Sequence, residues 1–386
     1  MFSVKIKKIE TTDFTNSGSF LQTPFWASFK ACHGWKNTRY LLSLDAQKEL
    51  KSQLKTENLE VSVLTRTLKA GFLSFSIVYI PLFPSLPLKN KNAEEQTIEF
   101  CALINDIANE LKNYLPKNTL CIKIDPAIEF LTPEERDNFN TGVRLVSFAD
   151  HLKIRKNKVD IQPPDSTQIN LLHSENEILA LMKSKWRYNI NLSSRKGVQI
   201  IKVTGDSVDF EKYLDIFYDL YKITSKRDGI ALHSKSYYED LLLKSSKEIK
   251  EGKDVPLISL YIAQHEDDYL GAIITLFSKT ESIYLYGCSS NVKRNLMPNF
   301  LLQWTAMKDA KAYGSEYYDM YGMPPTDDKN HPMHGLYLFK TGFGGKNIHR
   351  PGTFDIPTSF FYKPYSLLEL FRAVWHKKII KKLRGR

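Results

Sequence analysis

Several groups of residues in this chain have types and spacings that could do chemistry. Tyr284 and Tyr286 stand two apart in the β-patterned run Ile283–Ser290, which on a regular strand puts both phenols on one side. That suits a pair of hydrogen bonds to one ligand, and equally a buried aromatic face. Lys340, with Phe339 beside it, lies in an aromatic and glycine-rich stretch, His334–Lys346. Asp125 closes the strand-like run Leu120–Pro126. A carboxylate there either caps the next turn, the commoner role, or serves a site. Lys183, Lys185, Arg187, Arg195 and Lys196 gather around Trp186 and Tyr188. Basic and aromatic side chains so interleaved suit a phosphate backbone with nearby bases, or a solvated helix face with one buried Trp.

The surrounding patterns say what must position these residues. Val4–Ile9 alternates like a strand, and Val61–Lys69 with Gly71–Phe83 reads as a hairpin. Thr23 and Pro24 cap and open a helix that places Trp26, Phe29 and Lys30 on one face. By spacing alone Lys30 is a solvated helix end. Glu94–Tyr114 predicts a long helix with Ile98, Ala102, Ile104, Ile107, Ala108 and Leu111 toward the core. Ile161–Thr167, with its paired prolines, is the best domain boundary. Beyond it, Gln168–Leu172 predicts a strand, and Glu175–Ser184 a helix that runs into the basic cluster. A helix with an apolar stripe from Phe210 to Tyr221 ends at Gly229, and Ser236–Ser245 forms another. Leu257–Gln264, Tyr269–Phe277 and Ile283–Ser290 then form antiparallel strands, followed by a helix from Pro298 to Gly314 and a strand from Tyr317 to Gly322. Strand–strand–strand–helix–strand is, by analogy, the second half of a GNAT-like (acyl-CoA N-acyltransferase-like) domain.

Composition sets the bounds. A chain of 386 residues favours two domains. Hydrophobic content of 42% and charged content of 25% are ordinary globular values. The formal net charge of +11 favours anionic partners, though solubility alone would also explain it. Cys32, Cys101, Cys121 and Cys288 show no metal-ligand or redox spacing and read as reduced, mostly buried cysteines of a cytoplasmic protein. The charged, alternating N-terminus is not a signal peptide, and no apolar run reaches spanning length.

Taken in order, these segments resemble the FemABX family of peptidoglycan aminoacyltransferases, in its short form without a coiled-coil arm. Phe20–Lys30, Tyr79-Ile80-Pro81, Ile124-Asp125-Pro126, Gln162-Pro163-Pro164, the Lys183–Ile190 run, Arg227-Asp228-Gly229-Ile230, Leu270-Gly271-Ala272, Tyr284-Leu285-Tyr286-Gly287, Tyr318–Gly322 and Leu338-Phe339-Lys340 carry it. Each marker is weak alone; the ordered set spans nearly the whole chain. The resemblance implies an α+β fold of two tandem GNAT-like domains, residues 1–164 with 352–386 and residues 165–351, the C-terminal segment returning to the first. It implies transfer of a small amino acid, such as Gly, Ala or Ser, from aminoacyl-tRNA to the side-chain amine of a stem peptide. That peptide belongs to a lipid-linked or UDP-linked peptidoglycan precursor and becomes a cell-wall cross-bridge. Asp125 falls at the family's catalytic carboxylate and Phe339 and Lys340 at its reaction centre. Lys30, Tyr237, Tyr284 and Tyr286 fall where the family grips the precursor. Where the family pattern has an arginine shortly before Tyr237, this chain has His233, with Lys235 nearby. Arg227, His233 or Lys235 could then supply the pyrophosphate contact. A cytoplasmic monomer is expected.

The chemistry is compatible with these residues. An aminoacyl ester is already activated, so no metal, cofactor or covalent nucleophile is required. The enzyme must align an amine with the ester carbonyl, take a proton and stabilise an oxyanion. Asp125 suits orientation of the ammonium or acceptance of its proton. Lys340 suits a fixed positive charge for the oxyanion, or a phosphate contact. A second reading is an acyl-CoA-dependent N-acyltransferase on the same fold, but Ser289–Asn295 has no glycine for a phosphate cradle. A third is a basic RNA- or membrane-binding module, which leaves Asp125 and Lys340 without a role. Finally, Leu368, Phe371, Trp375, Ile379 and Leu383 recur at helical spacing among Arg372, Lys377, Lys378, Lys381, Lys382, Arg384 and Arg386. The expectation is a helix docked from Leu368 to Trp375, with Ile379–Arg386 meeting the inner face of the cytoplasmic membrane.

Overall fold

A computed structural model of the chain describes residues 2–10, 18–46, 57–71, 73–86 and 93–375. The first segment opens with strand β1 (Phe2–Ile9), then helix α1 (Pro24–Cys32). Thr23 caps α1, its hydroxyl accepting from the Trp26 amide at 3.3 Å. Strands β2 (Lys36–Ala46), β3 (Glu57–Ala70) and β4 (Leu73–Phe83) form an antiparallel meander continuing from β1. Helix α2 (Ala93–Leu111) then crosses over to β5 (Thr119–Pro126), which pairs parallel with β4. A parallel pair needs such a crossover, because a tight turn can only reverse the chain. Helix α3 (Pro133–Ala149) and the short β6 (Arg155–Lys156) close this segment. Leu103, Ile104, Ile107, Ala108 and Leu111 of α2 pack with Val61, Val63, Val78, Ile80, Ile122 and Ile124 of the sheet. Ile98, expected on that face, is exposed instead.

The second unit begins with β7 (Asp165–Asn170), followed by α4 (Glu175–Leu181) and α5 (Ser184–Arg195). The single helix expected there is broken at Met182, which is extended, and Lys183, which is not helical either. Then come β8 (Gln199–Val203), α6 (Phe210–Asp228) and α7 (Lys235–Lys250). Gly229 ends α6 with φ of 70°, the left-handed conformation that a residue without Cβ adopts freely. Strands β9 (Leu257–His265), β10 (Asp268–Phe277) and β11 (Glu281–Ser289) form a second antiparallel meander. Helix α8 (Pro298–Tyr313) crosses over to β12 (Tyr317–Asp319), parallel to β11. His334–Thr341, read above only as a closing stretch, is helix α9, and β13 (Lys346–His349) follows.

The chain then returns to the first segment as β14 (Phe354–Pro357) and α10 (Tyr362–Val374). Two compact units result, residues 1–164 with 349–386 and residues 165–348. Their sheets run β1-β2-β3-β4-β5-β14-β6 and β13-β7-β12-β11-β10-β9-β8. Read from opposite ends, the two orders superimpose: an antiparallel meander, a helical crossover, a parallel strand, and an antiparallel partner from elsewhere in the chain. The architecture is α+β, two mixed sheets flanked by helices.

Lys123 of β5, buried, binds Asp355 of β14 at 3.0 Å and Glu369 of α10 at 3.0 Å. Tyr362 also donates to Asp355, at 3.0 Å. This polar cluster seats one face of α10. The docking expected through Leu368, Phe371 and Trp375 does not occur, for those side chains are exposed. Ile379, Leu383 and the basic residues from Lys377 onward lie outside the described residues. Among the described residues, no helix is long and apolar enough to cross a membrane.

Candidate functional site

In the first unit the site centres on Asp125, buried at the end of β5. It does not cap the following turn. Its Oδ2 accepts from the Tyr79 hydroxyl, and its Oδ1 accepts from the Thr353 hydroxyl at 2.5 Å. Thr353 is fixed in turn, its Oγ1 receiving the Ile161 amide at 2.9 Å and its own amide donating to Asp160 at 2.8 Å. Desolvation pushes the Asp125 carboxyl up to about 6, while the Thr353 and Tyr79 hydroxyls pull the other way. An acid poised there can change protonation state near neutrality, as an unperturbed Asp cannot.

Tyr79 carries the site outward. Its ring lies 6.2 Å from that of Trp35, over which the Arg66 guanidinium sits at 5.8 Å. Trp35 joins Ser28, Lys36, Asn37 and Arg39 in lining a cleft of about 430 Å³ beside α1 and β2. Lys30 is not a solvated helix end. Its ammonium lies 5.7 Å from the Trp26 ring, and burial, helped by Arg66, lowers its pKa to about 8.

In the second unit Lys340 is buried on α9. Its Nζ donates to the carbonyls of Met320 (2.6 Å), Tyr321 (3.0 Å) and Gly322 (2.8 Å), and lies 4.9 Å from the Tyr284 ring centroid. Burial, offset in part by Asp319, lowers the Lys340 pKa to about 7. Three carbonyls nevertheless call for three hydrogens, and a neutral amine has only two. The ammonium is therefore committed to the backbone just past β12, and the expected freely available positive charge is not what Lys340 presents. That backbone is strained, with Tyr321 at φ of 56°. Asp319 holds it from the other side, accepting the Tyr321 amide at 2.7 Å, the Gln168 side-chain amide at 3.4 Å and the Ser166 hydroxyl. β12 stops at Asp319 while β11 runs on to Ser289, so the two parallel strands separate at this point.

The two tyrosines of β11 do not stand as a regular strand would place them. A bulge intervenes: Ile274 faces Tyr286 and Thr275 faces Tyr284, leaving Leu285 extra. Tyr284 lies against the backbone of Gly287, where any Cβ would collide with its phenol. Tyr286 instead shares a side-chain hydrogen bond with Tyr237 and packs edge-on to Tyr238 at 5.1 Å. Desolvation raises both phenols well above 10. His233 stacks on Tyr237 with centroids 4.1 Å apart. Arg227 is occupied elsewhere. It donates to Asp228 and Ser289 and to Asn291, pinning the loop after β11. Lys235 pairs with Asp215. Of the three candidate pyrophosphate contacts, His233 is exposed, and Arg227 and Lys235 are half-buried.

The basic cluster divides. Lys183, Lys185, Arg195 and Lys196 are exposed. The Arg187 guanidinium donates to the Leu179, Ala180 and Met182 carbonyls, closing the C-terminal end of α4. Trp186 is no stacking platform either. Its indole donates to the Phe339 carbonyl at 2.8 Å, and its ring fills the space that a side chain at Gly342 would need. The Phe339 ring packs between Phe300 and Phe343. The N-terminus of α5 is thus tied to the helix that carries Lys340.

Sequence reasoning missed Asp319, Tyr79 and Thr353. Asp319 has a visible signal, an acid closing a strand after a crossover helix, as Asp125 does; Thr353 is 228 residues from its partner and has none.

Comparison with known proteins shows the family. A lipid II:glycine glycyltransferase of Staphylococcus epidermidis is 24% identical over 96% of this chain and 95% of its own. One from Staphylococcus aureus is 23% identical over 88% of each. The crystal structure of FemX has a TM-score of 0.67 at 20% identity, covering 94% of this chain and 99% of that one. It shares the fold of this chain. The sequence profile of the FemAB family matches residues 6–250 and 244–370. The chain belongs to the FemAB family.

Proposed function

We propose that this protein transfers a small amino acid from aminoacyl-tRNA to the side-chain amine of the stem peptide of a peptidoglycan precursor, building a cell-wall cross-bridge. As a FemAB family member it is an aminoacyltransferase. The observation that carries the reading is the near end-to-end match to lipid II:glycine glycyltransferases. The buried, proton-tunable Asp125 supports it.

The side-chain amine arrives as an ammonium, with a pKa of about 10.4. Ionised Asp125 orients it and accepts one proton. The freed nitrogen attacks the ester carbonyl, and the tetrahedral intermediate collapses with cleavage of the carbon–oxygen bond to the ribose. The ribose oxygen leaves with the second proton of the amine, and the new amide bond remains. Lys340 acts as a positioning residue through the strand end it holds. Phe339 supports the helix bearing Lys340. In the first unit Lys30, and in the second His233, Tyr237, Tyr284 and Tyr286, are assigned to the precursor. Lys183, Lys185, Arg195 and Lys196 are assigned to tRNA phosphates. The protein works on the cytoplasmic side, where it meets a lipid-linked acceptor at the membrane face.

The test is transfer by purified protein from a panel of charged tRNAs to precursors bearing lysine, ornithine or diaminopimelate, read by mass spectrometry. A mass gain of one residue with a small amino acid is expected. Transfer from acyl-CoA, with none from any aminoacyl-tRNA, would overturn the reading.

A further inference from the structure

Strands β3 and β4 pair regularly from Ala70 opposite Leu73 to Leu64 opposite Tyr79. Carried two residues further, the same register would set Ser62 opposite Pro81. A side chain stands between them instead. Gln22, fully buried, accepts the Ser62 backbone amide on its Oε1 at 2.7 Å and donates from its Nε2 to the Pro81 carbonyl. These partners fix the orientation of the side-chain amide, because proline has no N–H to give. Gln22 is itself firmly seated. It ends the tight turn Phe20–Gln22, in which the Ser19 hydroxyl accepts the Leu21 amide at 3.3 Å and the Phe20 carbonyl accepts the Thr23 hydroxyl at 2.6 Å. Just past this wedge β4 changes course. Leu82 has φ of 36°, and the parallel register with β5 shifts between Ile80 and Phe83. Ile80 stands beside Ile124, and both pack in the core with α2. Tyr79 and Asp125 therefore project from the other face of the sheet, where the phenol meets the carboxyl.

We propose that Gln22 is a positioning residue for the transfer reaction: wedged between β3 and β4, it sets the course of β4 past Tyr79 and so holds the Tyr79 hydroxyl on Asp125. The proposal rests on the functional reading above, in which ionised Asp125 takes a proton from the acceptor ammonium. Losing a buried pair of hydrogen bonds costs stability wherever it occurs. What distinguishes this pair is its place, two residues along β4 from Tyr79. Without the wedge, the Ser62 amide can bond the Pro81 carbonyl directly, and β4 is drawn toward β3. The Tyr79 hydroxyl then leaves Asp125. With one donor fewer, the carboxylate holds its proton to higher pH. The base is both displaced and less often ionised, so turnover falls while the binding of either substrate changes little.

The experiment compares full-length Gln22→Ala, Gln22→Met, Tyr79→Phe and the double variant Gln22→Ala with Tyr79→Phe. Gln22→Met keeps the length of the side chain but pairs with neither strand. For each, kcat and KM are measured across the pH range around neutrality, and the Asp125 carboxyl is titrated in parallel by carbon-13 NMR. Both single Gln22 variants should lose about tenfold or more in kcat with KM little changed. Their carboxyl titration should move up from about 6. Tyr79→Phe should do the same, and adding Gln22→Ala to it should lower kcat no further. A Gln22 that serves only the fold would lower the thermal transition and leave kcat and the titration in place, which overturns the proposal. Losses that multiply in the double variant overturn it as well. Failure of both Gln22 variants to fold makes Gln22 a folding residue and has the same consequence. So does Tyr79→Phe with wild-type turnover and titration, since nothing at Tyr79 would then need positioning. Absence of transfer by the wild type from any aminoacyl-tRNA sinks the functional reading instead. The carboxyl titration, which needs no substrate, still shows whether Gln22 holds Tyr79 on Asp125.

Discussion

The same place in the two sheets carries an acid, and the two acids do different work. Asp125 ends the parallel strand of the first unit and Asp319 ends that of the second. Both are buried. Asp125 receives two neutral hydroxyls, from residues whose backbones do not depend on it. Asp319 receives a backbone amide two residues on, and so shapes the strained turn that Lys340 grips from the other side. One carboxylate is left free to titrate; the other is built into the backbone around a lysine. A buried acid at a strand end is thus a scaffold position, and its partners decide whether it becomes chemistry or architecture.

Substitutions can break that contrast. The largest effect is expected for Asp125→Asn, which keeps the size and one acceptor oxygen, replaces the other by an amide donor and removes the charge. Transfer should fall by about 10²–10⁴-fold, and the acid limb of the wild-type pH–rate profile, with its inflection near 6, should vanish. The stability change has a definite sign. The native carboxyl titrates near 6 and the unfolded one near 4, so the native state binds more protons in between. Wild-type stability therefore falls as pH rises through that window and is level above it, and Asp125→Asn should lack the fall. Near-wild-type transfer in this variant would remove Asp125 from the chemistry.

Lys340→Met should act on the fold first, leaving three buried carbonyls without a donor. A loss of about 3–5 kcal/mol in urea unfolding is expected. Unchanged stability with lost transfer would instead make Lys340 a group that touches the reacting atoms. Asp319→Asn is milder, about 1–3 kcal/mol. If the acid is architectural, this variant should keep the pH–rate inflection that Asp125→Asn loses. The smallest effect concerns the basic cluster. Neutralising Lys183, Lys185, Arg195 and Lys196 together should reduce the salt slope of tRNA binding by about 3, while Arg187→Ala should lower stability and leave the slope alone. An equal change of slope in both would refute the division.

The sequence made the scaffold legible where local rules act alone. Alternation exposed the meanders β3–β4 and β9–β11, and Thr23-Pro24 and Gly314 bounded their helices. The α9 segment was not read as a helix, because eight residues with a Gly at the second position and Gly342, Gly344 and Gly345 close behind carry little helical signal. Site residues were legible as types and not as partners. Nothing local to Lys340 reveals that Met320, Tyr321 and Gly322 use all its hydrogens. Nothing local to Tyr284 and Tyr286 reveals the bulge that separates their roles. Arg187 and Trp186 read as ligands for nucleic acid because sequence shows charge and ring, whereas carbonyls brought close by folding decide where they point.

The pairing of β14 with β5 has a consequence for how the protein is made. β5 leaves the ribosome long before β14, and residues 165–348 must be synthesised between them. At ordinary elongation rates that is a delay of roughly ten to forty seconds. Throughout it, β5 has one unpaired edge, Lys123 has no Asp355, and Asp125 has no Thr353. A nascent first unit must survive with an open sheet until the inserted unit has emerged. A ribosome that stalls anywhere before Thr353 releases a chain that can complete neither its sheet nor its acid.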